Sequence, residues 1–247
     1  MIEAKLSNIN DTEDWFPSIK QIARCLNALK NQNKKVYINA LDLINGVINI
    51  FSNVSKKEYE VYQEVELAIN SQIDTFKLFS DENSNTVIKY YINTIERSIK
   101  ILTSKCETLT EKEVNKIRGL LTEAVACSFL GDVSKPNIRN FIWDCCFYKD
   151  NNLLYIENEN GGKVFSTDIY YNNAVVNLCE CKTRPYFKTS QFEFMEYIKE
   201  EYEKEKNSVQ LYVFVLNFQR NPMVETELNK LTDNFELKTL DDIKAVV

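Results

Sequence analysis

Apolar residues recur at helical spacing through most of the first 110 residues. Trp15 to Lys30 and Val36 to Phe51 each carry one apolar face, and a stripe of Tyr59, Tyr62, Val65, Ile69, Ile73, Phe76 and Phe79 predicts a third helix. Ser55-Lys56-Lys57-Glu58 is positioned to open it as a capping box, the Ser and Glu side chains satisfying exposed amides of the first turn. Asp81 to Asn85 breaks the pattern, and Ser84 can cap a further helix reaching about Thr103. The stripe reads as core, with a dimer seam as the alternative because its spacing drifts towards a heptad.

A second capping box, Thr110 to Glu113, opens a helix that Gly131 closes. Its core face is Val114, Ile117, Leu121, Ala124 and Val125, with Glu123 at the margin. After Pro136 the period changes to that of strands: Phe141 to Tyr148, Leu153 to Glu157, Val164 to Tyr171 and Ala174 to Thr183. Asp150-Asn151-Asn152, Asn160-Gly161-Gly162 and Asn172-Asn173 supply hairpin-turn chemistry between them. A third box, Ser190 to Glu193, opens a helix with Phe192, Met195, Ile198 and Tyr202 on one face, and Val209 to Phe218 reads as a buried strand. A strand, a crossover helix and a strand favour parallel pairing. The acidic stretch from Asn221 ends in a short helix after Thr239. The pattern predicts an α/β (α+β) chain: a helical N-terminal region over residues 1–109, then a layered domain over 110–247 with a mixed central sheet flanked by helices.

Composition narrows the chemistry. The 247 residues include no His and only five scattered Gly, which excludes His triads, His-metal sites, dinucleotide fingerprints and P-loops. The net charge of −6 is concentrated in residues 191–247, while residues 111–190 are neutral, so the middle segment is the one compatible with phosphate contacts. No apolar run reaches membrane-spanning length, the N-terminus lacks the build of a signal peptide, and seven Cys without framework spacing read as reduced thiols, which points to a cytoplasmic protein without a membrane partner. Cys145-Cys146 and Cys179-x-Cys181 lack the spacing of a zinc knuckle and read as buried thiols.

The informative stretch runs from Ser166 to Lys182. In a strand Glu180 and Lys182 share one face and Cys179 and Cys181 the other. A Glu and a Lys at the end of a buried strand are costly unless something uses them. Asp168 lies on the preceding strand, but a tight turn at Asn172-Asn173 would leave it short of Glu180, so a sheared register or a bend at Asp168 is required. Two carboxylates and a Lys suit a Mg²⁺ site: the ion takes hard oxygen ligands, and a Lys whose pKa is depressed by partial burial can orient or deprotonate a water. Asp144 either joins this site or sits at a strand end. Arg139, Arg184 and Lys188 are candidate phosphate contacts or solvated charges.

Asp168 followed by Glu180-Cys181-Lys182 resembles the motif of the PD-(D/E)xK, or restriction-endonuclease-like, nucleases, over about residues 110–218. Thr167 stands where the family name has Pro. The resemblance implies a restriction-endonuclease-like core and a Mg²⁺-dependent endonuclease, Mn²⁺ substituting, that hydrolyses DNA phosphodiester bonds and leaves a 5′-phosphate. It implies Asp168, Glu180 and the backbone carbonyl of Cys181 as metal ligands, Glu123 as an assisting carboxylate, Lys182 as the catalytic lysine and Gln191 beside the site. It also suggests bacterial restriction or phage defence and a homodimer, with residues 1–109 recognising target, partner or second subunit. The alternatives are a nuclease-fold binding module without cleavage and an RNA-directed nuclease.

Overall fold

The computed structural model describes residues 1–7, 14–55, 62–81, 85–131 and 141–245. The chain is α+β, with two compact units that interleave in sequence: residues 13–135 with 241–247, and residues 1–12 with 136–240. The expected boundary at 109/110 therefore does not coincide with the division. The helix carrying Glu123 packs with the preceding helices, and the first residues of the chain pack with the sheet.

The helical unit contains α1 (Phe16–Gln32), α2 (Lys34–Ser55), α3 (Tyr62–Asp81), α4 (Thr86–Cys106) and α5 (Glu111–Leu130). Val65, Ile69, Ile73 and Phe76 of the α3 stripe are buried inside this unit, whereas Phe79 is exposed. The stripe is thus mostly core within one chain. The side chain of Asn85 caps α4, accepting from Ile88 N at 2.9 Å. Ser84, Tyr59, Arg139 and residues 56–58 of the Ser55 box lie outside the described residues. The Thr110 box forms on α5: Glu113 N donates to Thr110 Oγ1 at 3.4 Å, and Thr110 N donates to Glu113 Oε2 at 2.7 Å. Thr110→Ala should cost about 1 kcal/mol of stability, read as a lowered urea midpoint with an unchanged m-value.

The other unit is built on a mixed sheet. Its strands are β1 (Ile2–Leu6), β2 (Phe141–Lys149), β3 (Asn152–Leu153), β6 (Ser166–Asn172), β7 (Val176–Lys182), β8 (Val209–Val215) and β9 (Phe235–Thr239). A separate two-stranded ribbon pairs β4 (Ile156–Glu157) with β5 (Lys163–Val164). The order across the main sheet is β1-β2-β6-β7-β8-β9, with β3 pairing β2. Pairs from β1 to β7 are antiparallel, and β7-β8-β9 are parallel. The expected crossover is present: α6 (Thr189–Lys204) links β7 to β8. Its start differs from the capping-box reading, because Lys188 is the N-cap and makes no side-chain cap bond, which leaves Ser190 inside the first turn. A short α7 (Pro222–Leu228) precedes β9, and α8 (Leu240–Ala245) follows it as expected.

Strand β1 is the main departure from the predicted elements. Ile-Glu-Ala-Lys-Leu is too short and too rich in helix formers to announce a strand, and its conformation comes from pairing with β2 along its whole length. The face of the sheet that carries α6 holds two apolar clusters. One includes Ile2, Phe147, Tyr170, Leu178, Phe194 and Tyr202, and the other is Phe187, Phe192, Val213 and Val215. Glu180 and Lys182 pair in register with Val213 and Val215, so they continue the row of Val176 and Leu178 on this covered face.

Candidate active site

Register brings the motif together. In the β6–β7 hairpin Asn172 faces Val176, Tyr170 faces Leu178 and Ile169 faces Cys179. The connecting loop is Asn173-Ala174-Val175 rather than a two-residue turn, with Ala174 left-handed at φ 77°. The longer loop slides the register by comparison with the tight-turn reading and sets Asp168 level with Glu180. No shear is needed, but the bend is present. Regular pairing of β6 with β7 ends at Ile169, and in its place the Asp168 carboxylate accepts the backbone N–H of Cys181 at 2.6 Å. A side chain thus substitutes for the next ladder bond and pins the carboxylate against β7.

The same irregularity crosses to β2. Trp143 pairs with Ile169 and Cys145 with Thr167, while Asp144, opposite Asp168, is skipped. Asp144 is left-handed at φ 57°, a conformation that Asp tolerates better than most residues. The alternation of faces shifts there: Ile142 packs on the same cluster as Cys145 and Phe147, an odd step away. Ser7, just past β1, holds the kink, donating its backbone N–H to Asp144 O at 2.9 Å and bonding the Asp144 carboxylate through its hydroxyl. Asp144 is therefore a third carboxylate of the neighbourhood. The sequence signal for it, a lone Asp in an apolar strand, did not distinguish it from a strand end.

Glu180 is 1% exposed and is held from two directions. Lys182 Nζ donates to its Oε1, and Gln191 Nε2 donates to the same oxygen at 2.5 Å. Lys182 Nζ also donates to Gln191 Oε1 at 3.1 Å, which closes a triangle between β7 and α6. Gln191 is available for this because α6 begins at Thr189, so its side chain projects from the first turn.

The charges are strongly perturbed. Burial, reinforced by the nearby Glu180 carboxylate, pushes the Asp168 carboxyl up to about 8, against the opposing pull of Lys182 and of the Cys181 N–H. Burial also works to lower the Lys182 ammonium, but Glu180 and Asp168 overcome it and hold that ammonium above the ordinary lysine value. The expected depression of Lys182 is thus reversed, because the carboxylates outweigh desolvation.

The donor set fits a hard divalent cation. In an extended strand the N–H and C=O of one residue point to the same edge. Cys181 donates its N–H to Asp168, so its carbonyl looks towards the Asp168 side of β7. Asp168, Glu180 and this carbonyl are hard oxygen donors of the type Mg²⁺ takes, usually with several retained waters. Among the described residues no group of three or more Asp, Glu, Cys or His side chains is gathered as a metal cage. The expected contributors divide clearly. Asp168, Glu180, Lys182 and Gln191 are assembled by β6, β7 and α6, and Glu123 is carried half-buried by α5 of the helical unit. Arg184 and Lys188 are exposed on the loop after β7, and Lys188 lines a groove with Glu157, Glu159, Tyr186 and Glu193. The four cysteines of β2 and β7 are buried thiols that form no disulfide. No protein-family model matches the chain, and no curated protein matches it.

Proposed function

We propose that the sheet unit is a metal-dependent nuclease of the PD-(D/E)xK type, with a restriction-endonuclease-like core, that hydrolyses DNA phosphodiester bonds. The observation that carries this reading is the Asp168 carboxylate bonded to the backbone of Cys181, directly beside the buried Glu180–Lys182–Gln191 triangle. A structural ion pair needs only one carboxylate. A second carboxylate, its pKa raised by burial and by the neighbouring Glu180 carboxylate, supports a site organised to hold added positive charge.

In this reading Asp168, Glu180 and the carbonyl of Cys181 hold Mg²⁺ or Mn²⁺. The bound ion supplies an acidified water and stabilises charge on the phosphoryl oxygens. Lys182 orients the attacking water through its ammonium hydrogens. With those carboxylates occupied by a cation, burial would be left to lower the Lys182 amine, the direction that taking a proton from water requires. Gln191 keeps the Lys182 and Glu180 side chains in one geometry. Glu123, Arg184 and Lys188 are proposed to assist, and restriction or phage defence is the proposed setting. The test is cleavage of supercoiled plasmid and of matched DNA and RNA duplexes with Mg²⁺ or Mn²⁺. Metal-dependent nicking confined to DNA supports the reading; RNA cleavage alone redirects it to an RNA nuclease. No cleavage, with no metal-induced rise in Tm, leaves a nuclease-fold binding module.

Metal binding should depend steeply on pH. The folded value of Asp168 lies above its unfolded value, so the folded protein holds this proton more tightly. The stabilisation associated with the protonated form is present at low pH and is lost as pH rises through about 8. A cation competes with that proton. Mn²⁺ affinity should therefore increase from about pH 6 to about pH 9, and binding at pH 7 should release a proton. Calorimetry in two buffers of different ionisation enthalpy measures that release; an affinity flat across the range contradicts the assignment of Asp168 as a ligand.

A further inference from the structure

Strand β1 ends the sheet among the described residues, and its outer edge is patterned for a second copy of itself. In its pairing with β2 the Ser7 N–H bonds Asp144 O, in register with the pairs Ile2–Lys149 to Leu6–Cys145. Odd-numbered residues of β1 therefore turn their backbone groups towards β2, and Ile2, Ala4 and Leu6 turn theirs outward. Two further bonds agree. The Ile2 N–H leaves the sheet to Glu205 Oε2 at 3.2 Å, and Phe147 O, opposite Ala4, bonds Leu154 N on the far side of β2 at 2.8 Å.

Glu3 and Lys5 point to the face opposite the apolar cluster, and both are exposed. They currently pair with each other at 2.9 Å along the strand. An antiparallel partner related by a two-fold axis at Ala4 would set Glu3 against Lys5 of the second copy and Lys5 against its Glu3. Axes at Glu3 or Lys5 would set like charges together, which is unfavourable across a strand pair. The Ala4-centred register also uses the outward groups: Ala4 bonds Ala4 of the second copy in both directions, and the Leu6 N–H reaches its Ile2 carbonyl. Leu6, 43% exposed, lies across from Ile2 in that register. The outward backbone groups can be paired about any of these axes, and charge complementarity selects the one at Ala4.

We propose that β1 is a homodimerisation edge, joining two copies through antiparallel β1–β1 pairing centred on Ala4. The inference does not rest on the nuclease reading. A five-residue strand pair by itself buries less than the roughly 1,200 Å² of a standard interface, so the dimer belongs to the weak class and forms at roughly 10–100 μM protein.

Sedimentation velocity of the full chain from about 1 to 500 μM tests it, with circular dichroism and Tm on each variant. Wild type should show a reversible monomer–dimer equilibrium. Ala4→Pro should dissociate the dimer with Tm nearly unchanged, because proline removes an amide that faces away from β2 and is tolerated on edge strands. Glu3→Lys and Lys5→Glu should each weaken association by at least about tenfold, since each sets like charges in opposition twice over. The double variant Glu3→Lys/Lys5→Glu should restore it, which also answers the case in which Ala4→Pro fails to fold. A wild type monomeric at 500 μM overturns the proposal, as does a dimer indifferent to the charge variants.

Discussion

Lys182→Ala is expected to lower the proposed DNA cleavage by roughly 10²- to 10⁴-fold while leaving Mn²⁺ binding measurable, whereas Asp168→Ala should lose both. The two variants separate because the Lys182 ammonium cannot ligate a cation, while Asp168 supplies a carboxylate that Cys181 N–H already fixes against β7. Stability gives a second readout. Lys182 neutralises Glu180, which is almost fully buried, and its side chain is itself 21% exposed. Removing it leaves that carboxylate with Gln191 and costs about 1–3 kcal/mol in the metal-free protein. Added Mn²⁺ should restore more Tm to Lys182→Ala than to wild type, because the cation takes over the neutralisation of Glu180. A Lys182→Ala protein as active as wild type would remove the lysine from the chemistry. Equal metal-induced shifts in the two proteins would argue against Glu180 as a ligand.

Phe147→Ala should destabilise the sheet unit by about 3–5 kcal/mol, the largest single effect expected from its core. Phe147 is fully buried in the middle of β2. Its ring meets Tyr170 at 6.1 Å and Phe194 and Tyr202 each at 6.2 Å between centroids, which ties β2 to β6 and to α6. Truncation leaves a cavity whose aromatic walls are anchored on two different elements, β6 and α6, and cannot all collapse into it. The same residues position the site: β6 carries Asp168 and α6 carries Gln191. Urea denaturation followed by tryptophan fluorescence should therefore show a large fall in midpoint. A loss below about 1 kcal/mol would mean that the site collapses readily or that Phe147 is poorly packed.

Much of the architecture was readable because it depends on local rules. The Thr110 box, the apolar faces of α1 to α5 and the strand–helix–strand order of β7, α6 and β8 follow from side-chain period and from capping chemistry that acts within a few residues. The motif residues were likewise visible: period two alone puts Glu180 and Lys182 on one face of β7. Where local rules compete, the reading failed. Asn172-Asn173 is good turn chemistry, yet the chain turns one step later around a left-handed Ala174, since register is selected by which face of β6 and β7 meets α6. Ser190 has the spacing of a cap, but α6 starts at Thr189.

The sequence by itself determined the chemical repertoire and the elements: without His, any hydrolytic site had to be built from carboxylates, Lys and backbone oxygens, and the period of the apolar residues set where helices and strands could form. Only the tertiary structure decided what meets. It drew residues 2–6 into the sheet beside β2, placed Ser7 against Asp144 137 positions away, moved the helix of Glu123 into the other compact unit, and made the Lys182 ammonium harder rather than easier to deprotonate. The physical reason is the same in each case. Strand pairing and charge interaction through a buried interior act between residues that are neighbours in space, and a pattern along the chain carries no measure of that distance.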